Sequence, residues 1–163
     1  MSVGARDDPY LSYRFVVQID ALFVGGFSEV SGLSVRMDPE TYEEGGVNDH
    51  VHKLPGRADY PNLTLRRGMT DSATLSRWTQ RTVDGAVTRM DGVLFLLDET
   101  GDIGWGWAFV DAYPVSWSGP DLSADSSSVA VETLELAHHG LRPVPGLPPG
   151  VGTALQDIGG LLG

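Results

Sequence analysis

The sequence predicts a mainly β fold: an antiparallel β-sandwich or barrel with one flanking α-helix and a long projecting loop. Three observations predict it. Apolar and polar residues alternate along several segments, which is the period of half-buried strands. A single segment has apolar residues at helical spacing. The strand-like segments are joined by hairpin-length links, which favours antiparallel pairing over a parallel sheet.

The first strands are predicted near the N-terminus. Residues 10–19 alternate and predict a half-buried strand. Residues 22–30 are its predicted hairpin partner, with the reversal at Asp20 and a bulge or bend at Gly25–Gly26. Residues 62–67 predict a further strand whose leucines point inward.

The helix is predicted over Asp71–Arg81, about three turns long. Thr70 or Asp71 is the predicted N-terminal cap, and Gly85 is the predicted stop. The residues at helical spacing are Ala73, Leu75, Trp78, Thr79 and Thr82.

The C-terminal half returns to strands. Residues 93–97 are apolar on both faces and predict a fully buried strand. Residues 105–117 alternate, with a bend at Ala112–Pro114. Residues 119–128 are a polar loop, and 129–136 are the last predicted strand.

The chain has the organisation of one domain with two extensions. At 163 residues and 41% hydrophobic content it has the size and composition of a single globular domain. We expect a flexible arm at 1–9, the β domain at 10–142 and a Pro/Gly-rich tail at 143–163. Residues 140–152 are expected to lack regular structure.

Charge and composition exclude several functions. The net charge of −11 argues against nucleic acid as a partner, because phosphate binding needs a basic face. No cysteine is present, which excludes disulfides and thiolate zinc sites. No apolar run approaches about 18 residues, so no membrane span is expected. The N-terminus lacks the apolar region of a secretory signal, so we expect the protein to be made in the cytoplasm.

Catalytic and ligand patterns are weak. His50 and His52 would share a strand face and hold a metal with Glu44 or Asp49, but histidines in a polar loop are more often solvated. No nucleophile elbow, phosphate-binding loop or dinucleotide fingerprint is present. The sequence therefore predicts a protein that is not an enzyme and binds no cofactor.

Three tryptophans lie in the predicted C-terminal strands. Trp105, Trp107 and Trp117 are expected in the core or at an interface, since large aromatics tend to be buried. The alternative is a sugar-binding cleft on a monomeric β-sandwich.

The long polar segment Asp38–His52 is the least ordinary feature of the chain. Compact domains rarely keep a connection of this length unless it is functional or disordered. Apolar strand-like stretches flank it, so we expect an arm that projects from a sheet.

An ordered set of motifs spans residues 8–142 and resembles the tail-tube proteins of contractile-tailed phages and extracellular contractile injection systems. Trp78 on the helix belongs to the set. The other motifs are DPY at 8–10, YRFVV at 13–17, GFSEVSGL at 26–33, YEEGG at 42–46, KLPG at 53–56, LTLRRG at 63–68, DAYPVSW at 111–117, GPDL at 119–122 and VETLELAH at 131–138.

The resemblance implies a structural subunit. Six copies would form a ring, and rings would stack into a hollow tube inside a contractile sheath, with cargo delivered or an envelope punctured on contraction. The implied partners are the protein itself, the sheath protein, and baseplate and tube-initiator proteins, within a phage tail or a contractile particle. The alternatives are a tube-initiating paralogue at the baseplate, the hexameric tube protein of secretion systems, and the carbohydrate-binding module.

Three groups of candidate residues follow from the resemblance together with position. The helix carries a sheath-facing group, Asp71, Arg77 and Arg81. A lumen-facing group is Arg14, Gln18 and Asp20, on and beside the first strand. The inter-ring and inter-subunit group is Glu40, Tyr42, Glu43, Glu44, Asn48, Lys53, Arg57, Arg66 and Arg67.

Overall fold

A computed structural model describes residues 15–20, 22–24, 27–42, 45, 52–98 and 100–145. Within these residues the chain forms twelve strands and one helix, as the sequence predicts for a mainly β fold. The elements are β1 Phe15–Ile19, β2 Leu22–Val24, β3 Phe27–Ser31, β4 Arg36–Met37, β5 Glu40–Tyr42, β6 His52–Leu54, β7 Ala58–Asp59, β8 Leu63–Gly68, α1 Thr74–Val83, β9 Met90–Leu97, β10 Ile103–Ser118, β11 Val131–Ala137 and β12 Gly140–Pro145.

The long strand β10 belongs to two sheets. Its first part pairs with β9 on one edge and β12 on the other, while residues 113–118 pair with β11. The first sheet therefore has the order β2–β1–β9–β10–β12, and the second has the order β10–β11–β8–β3, all antiparallel. Asp111 has a φ of 53° where the register shifts, which confirms the predicted change of direction near Ala112.

The two sheets face each other across one apolar core. Alternate residues of each strand point inward, so Leu63 and Leu65 are each 1% exposed, as predicted. The buried side chains of the cluster are Val17, Ile19, Phe27, Leu63, Leu65, Leu75, Trp78, Leu94, Phe109, Ala112, Leu134 and Leu136.

The helix begins and ends by different means. The predicted cap is wrong: Ala73 is the N-cap and no side chain bonds to the free amides, while Thr70 Oγ1 accepts from the amide of Ser72 instead. The predicted stop at Gly85 is confirmed. Gly85 has a φ of 88°, and the amide of Ala86 donates to Arg81 O at 2.9 Å, which satisfies carbonyls of the last turn.

Trp78 holds the helix against the sandwich. It is 4% exposed, and its Nε1 donates to Thr88 O at 2.8 Å, so the indole is both packed and hydrogen-bonded. Leu75, one turn earlier, is 1% exposed. These two side chains close the end of the core beneath α1.

The predicted hairpin partner of the first strand is divided between the sheets. Residues 22–24 pair with β1, as expected, but β3 crosses to the second sheet and pairs with β8. In this position Phe27 of β3 is buried in the core cluster. The bend expected at Gly25–Gly26 lies outside the described residues, as do residues 10–14.

The prediction that residues 140–152 lack regular structure is wrong for Gly140–Pro145. These residues form β12, which pairs with β10 from Val110 to Trp105. Pro143 and Pro145 are two residues apart, so their nitrogens lie on the same side of the strand. When that side of β12 faces away from β10, no hydrogen bond between the two strands is lost. Edge strands tolerate prolines in this position. Residues 1–9 and 146–163 lie outside the described residues.

Truncation of Trp78 tests the packing of the helix. We expect Trp78→Ala to lower the free energy of unfolding by about 3–5 kcal/mol, because a buried aromatic side chain is replaced by a cavity. Chemical denaturation of the unassembled protein measures the change. Val83→Ala, on an exposed side chain of the same helix, is the control and should change the free energy by less than about 0.5 kcal/mol. Equal losses in the two variants would contradict the packing role.

Candidate assembly surfaces

The long polar segment is a β-hairpin. We call residues 36–59 the arm. Its base pairs β4 with β7, and beyond the base β5 pairs with β6 from Glu40↔Leu54 to Tyr42↔His52. A Cβ on Gly56 would lie 1.9 Å from Asp38 O, so glycine lets the two strands approach between these ladders. Where the structure describes it, the expected loop therefore begins and ends in paired strands.

One face of the arm carries an exposed aromatic and an exposed aliphatic side chain beside a carboxylate. The register places Glu40, Tyr42 and Leu54 on the same face of β5–β6, since alternate residues share a face. Tyr42 is 56% exposed and Leu54 is 52% exposed. A lone two-stranded hairpin is marginally stable in water, so such a face is suited to being covered by a partner.

Four of the predicted interface residues on the arm are exposed in the single subunit. Glu40, Tyr42, Lys53 and Arg57 are exposed, and Lys53 lies opposite Thr41 on the other face of the hairpin. Glu43, Glu44 and Asn48 lie outside the described residues.

Arg67 is an internal residue. It is 3% exposed, and its Nε donates to Glu132 Oε1. The second carboxylate oxygen, Oε2, accepts from Trp117 Nε1 at 2.9 Å, and the guanidinium lies 5.6 Å from the centre of the Phe27 ring. Because its charge is neutralised inside the subunit, Arg67 is not available to pair with a neighbouring subunit, and its place in the predicted interface group is wrong.

The signal for this placement was present in the sequence. Consecutive residues of a strand point to opposite faces, so Arg66 and Arg67 cannot share one. Leu63 and Leu65 point inward, and Arg67 continues that inward series. Arg66 points outward, where its NH1 lies 3.3 Å from Glu29 Oε2.

The outer face of the second sheet is polar in two complete rows. The register aligns one row across all four strands as Ser31, Thr64, Glu135 and Ser116. The next row is Glu29, Arg66, Thr133 and Ser118. We call these eight residues the polar face. No apolar side chain interrupts either row.

The outer face of the first sheet is less polar. Gln18 on β1 lies opposite Val93 on β9, and Val93 lies opposite Ala108 on β10. Ala108 in turn lies opposite Arg142 on β12, so the two apolar residues of this row stand between Gln18 and Arg142. Gln18 Nε2 donates to Asp20 O at 3.3 Å. Asp20 is in the β1–β2 turn with a φ of 55°, and Arg14 lies outside the described residues. The predicted lumen group is not gathered on a polar surface.

The outer side of α1 carries two arginines beside a depression. Arg77 and Arg81 are one turn apart and exposed, and both line a depression of about 270 Å³ together with Thr74, Leu75, Trp78, Ile19 and Met90. Asp71 is exposed in the turn before the helix.

The tryptophans are part of the sandwich. Trp105 and Trp107 meet edge to face at 6.5 Å, and Trp107 packs against the core. Trp117 is held by the hydrogen bond from its indole nitrogen to Glu132.

Metal and membrane signals are weak in the described part of the chain. His50 lies outside the described residues, as does the side chain of His52. In the ranges the structure describes, no group of three or more His, Cys, Asp or Glu residues could hold a metal ion. Nor does any helix there have the length and apolar character to cross a membrane.

His138, the last residue of the VETLELAH motif, has a structural role. It is 7% exposed, with Nδ1 3.1 Å from Gly140 O and Nε2 3.1 Å from Pro61 O. Carbonyl oxygens only accept, so both bonds form together when both ring nitrogens carry a proton. The ring joins the base of the arm to the β11–β12 junction.

A family model and several solved structures match the chain. The model described as "T4-like virus tail tube protein gp19" matches residues 11–142, more than half of the sequence. No curated protein gives a significant match.

The similar solved structures come from contractile particles. A chain in the anti-feeding prophage baseplate is 28% identical with a TM-score of 0.76, covering 86% of this chain and 98% of that one. A chain in the extended sheath-tube complex of the PVC extracellular contractile injection system is 27% identical with a TM-score of 0.77, covering 86% and 94%. A chain in the anti-feeding prophage tube-terminating cap is 25% identical with a TM-score of 0.75, covering 90% and 100%.

A more distant solved structure shares the fold. Hcp1 from Flavobacterium johnsoniae is 14% identical with a TM-score of 0.52, covering 82% of this chain and 97% of that one; at this identity the likeness shows the fold alone. The comparisons favour neither the secretion-system alternative nor the carbohydrate-binding module.

The buried ion pair can be tested against an exposed one on the same strand. We expect Glu132→Ala to destabilise the subunit by about 3–5 kcal/mol, because it leaves the buried Arg67 charge without a partner. Glu29→Ala, which removes the exposed partner of Arg66, should cost no more than about 1 kcal/mol. Urea denaturation of the two variants measures the difference.

A double variant separates the unpaired charge from simple loss of packing. Arg67→Met combined with Glu132→Leu removes both charges and keeps apolar volume, so it should recover much of the stability lost in Glu132→Ala. The same urea denaturation measures the recovery. A double variant as unstable as Glu132→Ala would show that the unpaired Arg67 charge is not the cause of the loss.

Proposed function

The chain belongs to the T4-like virus tail tube protein family, and we propose that it builds the inner tube of a contractile injection particle or phage tail as stacked six-subunit rings. The observation that carries the ring proposal is the polar face. A surface that lines a water-filled conduit needs polar side chains across the whole sheet, and the second sheet has them in two unbroken rows. We therefore assign the polar face to the lumen, in place of Arg14, Gln18 and Asp20.

The second sheet also has two edges that are open in the single subunit. Among the described residues, β3 pairs only with β8, and residues 113–118 of β10 pair only with β11. An open edge presents unpaired amides and carbonyls to another strand. We propose that β3 of one copy pairs with this part of β10 in the next. A head-to-tail contact of this kind generates a ring when its rotation closes.

The arm supports contacts between rings. Its strands form two small ladders separate from the sheets of the sandwich, and its exposed residues include Glu40, Tyr42, Leu54, Lys53 and Arg57. We propose that it reaches the adjacent ring. Glu43, Glu44 and Asn48 belong to the same segment of the sequence and remain predicted contacts.

The partners beyond the tube follow from the similar proteins. The matching chains belong to a sheath-tube complex, a baseplate and a tube-terminating cap. We propose that this tube likewise lies inside a sheath, starts on a baseplate and delivers cargo through its lumen after assembly in the cytoplasm. Asp71, Arg77 and Arg81 are exposed, as a sheath-facing group requires, and that assignment stays a prediction. The role proposed is structural, with no catalytic residue assigned.

A single cysteine on the polar face tests the lumen assignment. The chain has no native cysteine, so Ser116→Cys introduces the sole thiol, on an exposed side chain of the polar face. We expect a bulky polymer-linked maleimide to label the unassembled subunit and to be excluded from assembled tubes, while a small maleimide labels both. Gel-shift assays before and after assembly measure the labelling. Full labelling of intact tubes by the bulky reagent would place the polar face outside the lumen.

Replacement of the arm tests its role in stacking. Residues 39–55 are replaced by Asn-Gly, which joins the chain close to where Asp38 and Gly56 approach and suits a tight hairpin. We expect a folded subunit that forms no tubes, because the inter-ring contact is lost. Circular dichroism checks the fold, and negative-stain electron microscopy beside the unaltered protein checks assembly. Tubes of normal length from the replacement would refute the inter-ring role.

A further inference from the structure

The depression beside α1 has the chemistry of a receptor for an acidic, apolar segment. Leu75, Trp78 and Met90 supply apolar lining, and Arg77 and Arg81 stand at its side. Within the described ranges neither arginine has a carboxylate within ion-pair distance. The chain has a net charge of −11, and these two arginines lie one turn apart on the helix.

The other arginines in the described part are differently placed. Arg36 pairs with Asp38, Arg66 with Glu29 and Arg67 with Glu132. Arg89 lies over the Tyr113 ring at 4.7 Å. Arg57 is on the arm itself, and Arg142 is near the end of β12. Arg77 and Arg81 differ from these because they are neighbours on the helix, both are exposed, and both lie beside an apolar surface.

The arm carries the complementary set. Glu40, Tyr42 and Leu54 share one face of β5–β6, and Tyr42 and Leu54 are more than half exposed. The sequence beyond Tyr42 continues with Glu43 and Glu44. A carboxylate beside an aromatic and an aliphatic side chain matches arginines beside an apolar depression in both charge and polarity.

We propose that the α1 depression of one copy receives the arm of a neighbouring copy. Tyr42 and Leu54 contact the apolar lining, and Glu40 lies next to Arg77 and Arg81. Burial of the apolar side chains supplies most of the affinity, while the charges set orientation and favour this partner over others. The inference rests on the proposed tube and names the receptor of its inter-ring contact. It gives the two arginines a partner other than the sheath.

Cysteine cross-linking tests the contact directly. The variant with Tyr42→Cys and Thr74→Cys carries one thiol on the arm and one at the rim of the depression, in a chain without native cysteine. A disulfide forms only when the two Cα atoms come within about 7 Å. We expect oxidised tubes of this variant to give a ladder of covalent multimers on a non-reducing gel. The control pairs Tyr42→Cys with Leu122→Cys, on a side chain that is 85% exposed, and should give none.

Charge exchange gives a second readout. Arg77→Glu with Arg81→Glu should abolish tubes, and so should Glu40→Arg with Glu43→Arg and Glu44→Arg. Combining the two sets restores the attraction with its sign reversed, so tubes should return. Circular dichroism confirms that each variant is folded.

The outcomes separate this inference from the proposed function. If the unaltered protein forms tubes but the variant with Tyr42→Cys and Thr74→Cys gives no ladder, the docking contact alone is wrong. The depression would then be available to another partner, such as the sheath. If the unaltered protein forms no rings or tubes with or without a baseplate to start them, both proposals fail. A ladder together with restoration by charge exchange supports both.

Discussion

The constraint on which the rest of the structure depends is a strand too long for one sheet. At 16 residues, β10 spans about 50 Å when extended, more than a small sandwich can cover with one sheet. The chain changes direction at Asp111, which adopts a left-handed conformation, next to the fully buried Ala112. One half then pairs with β9 and β12 and the other with β11. The strand thereby fixes the position of both sheets, and α1 packs against it.

This division gives the subunit two chemically different outer faces. In the second sheet, leucines turned inward leave hydroxyl, carboxylate and guanidinium groups turned outward, because neighbouring positions of a strand alternate. The polar face therefore forms without removing any apolar side chain from the core. At the end of the same core, Arg67 continues the inward series, and Glu132, Trp117 and Phe27 surround it. A charged residue is tolerated at this inward position because its guanidinium group has hydrogen-bond partners inside the subunit.

Much of the fold follows from local patterns in the sequence. The alternation at Leu63 and Leu65 and the helix around Trp78 are visible in short windows, since each depends on neighbours within a few residues. The elements that escaped prediction depend on distant partners. β12 is a strand because β10 offers it an edge, and β3 lies beside β8 because Phe27 completes the core. The buried position of Arg67 follows from strand parity, but its stability depends on Glu132, 65 residues away.

The edge strand β12 has a consequence for the subunit before assembly. If copies join through strand edges as proposed, pairing through another exposed edge would lead to disordered fibrils. Pro143 and Pro145 have no amide hydrogen to give to an incoming strand, so β12 is a poor template for such growth. In the proposed ring, copies then join through the edges of the second sheet and not through β12.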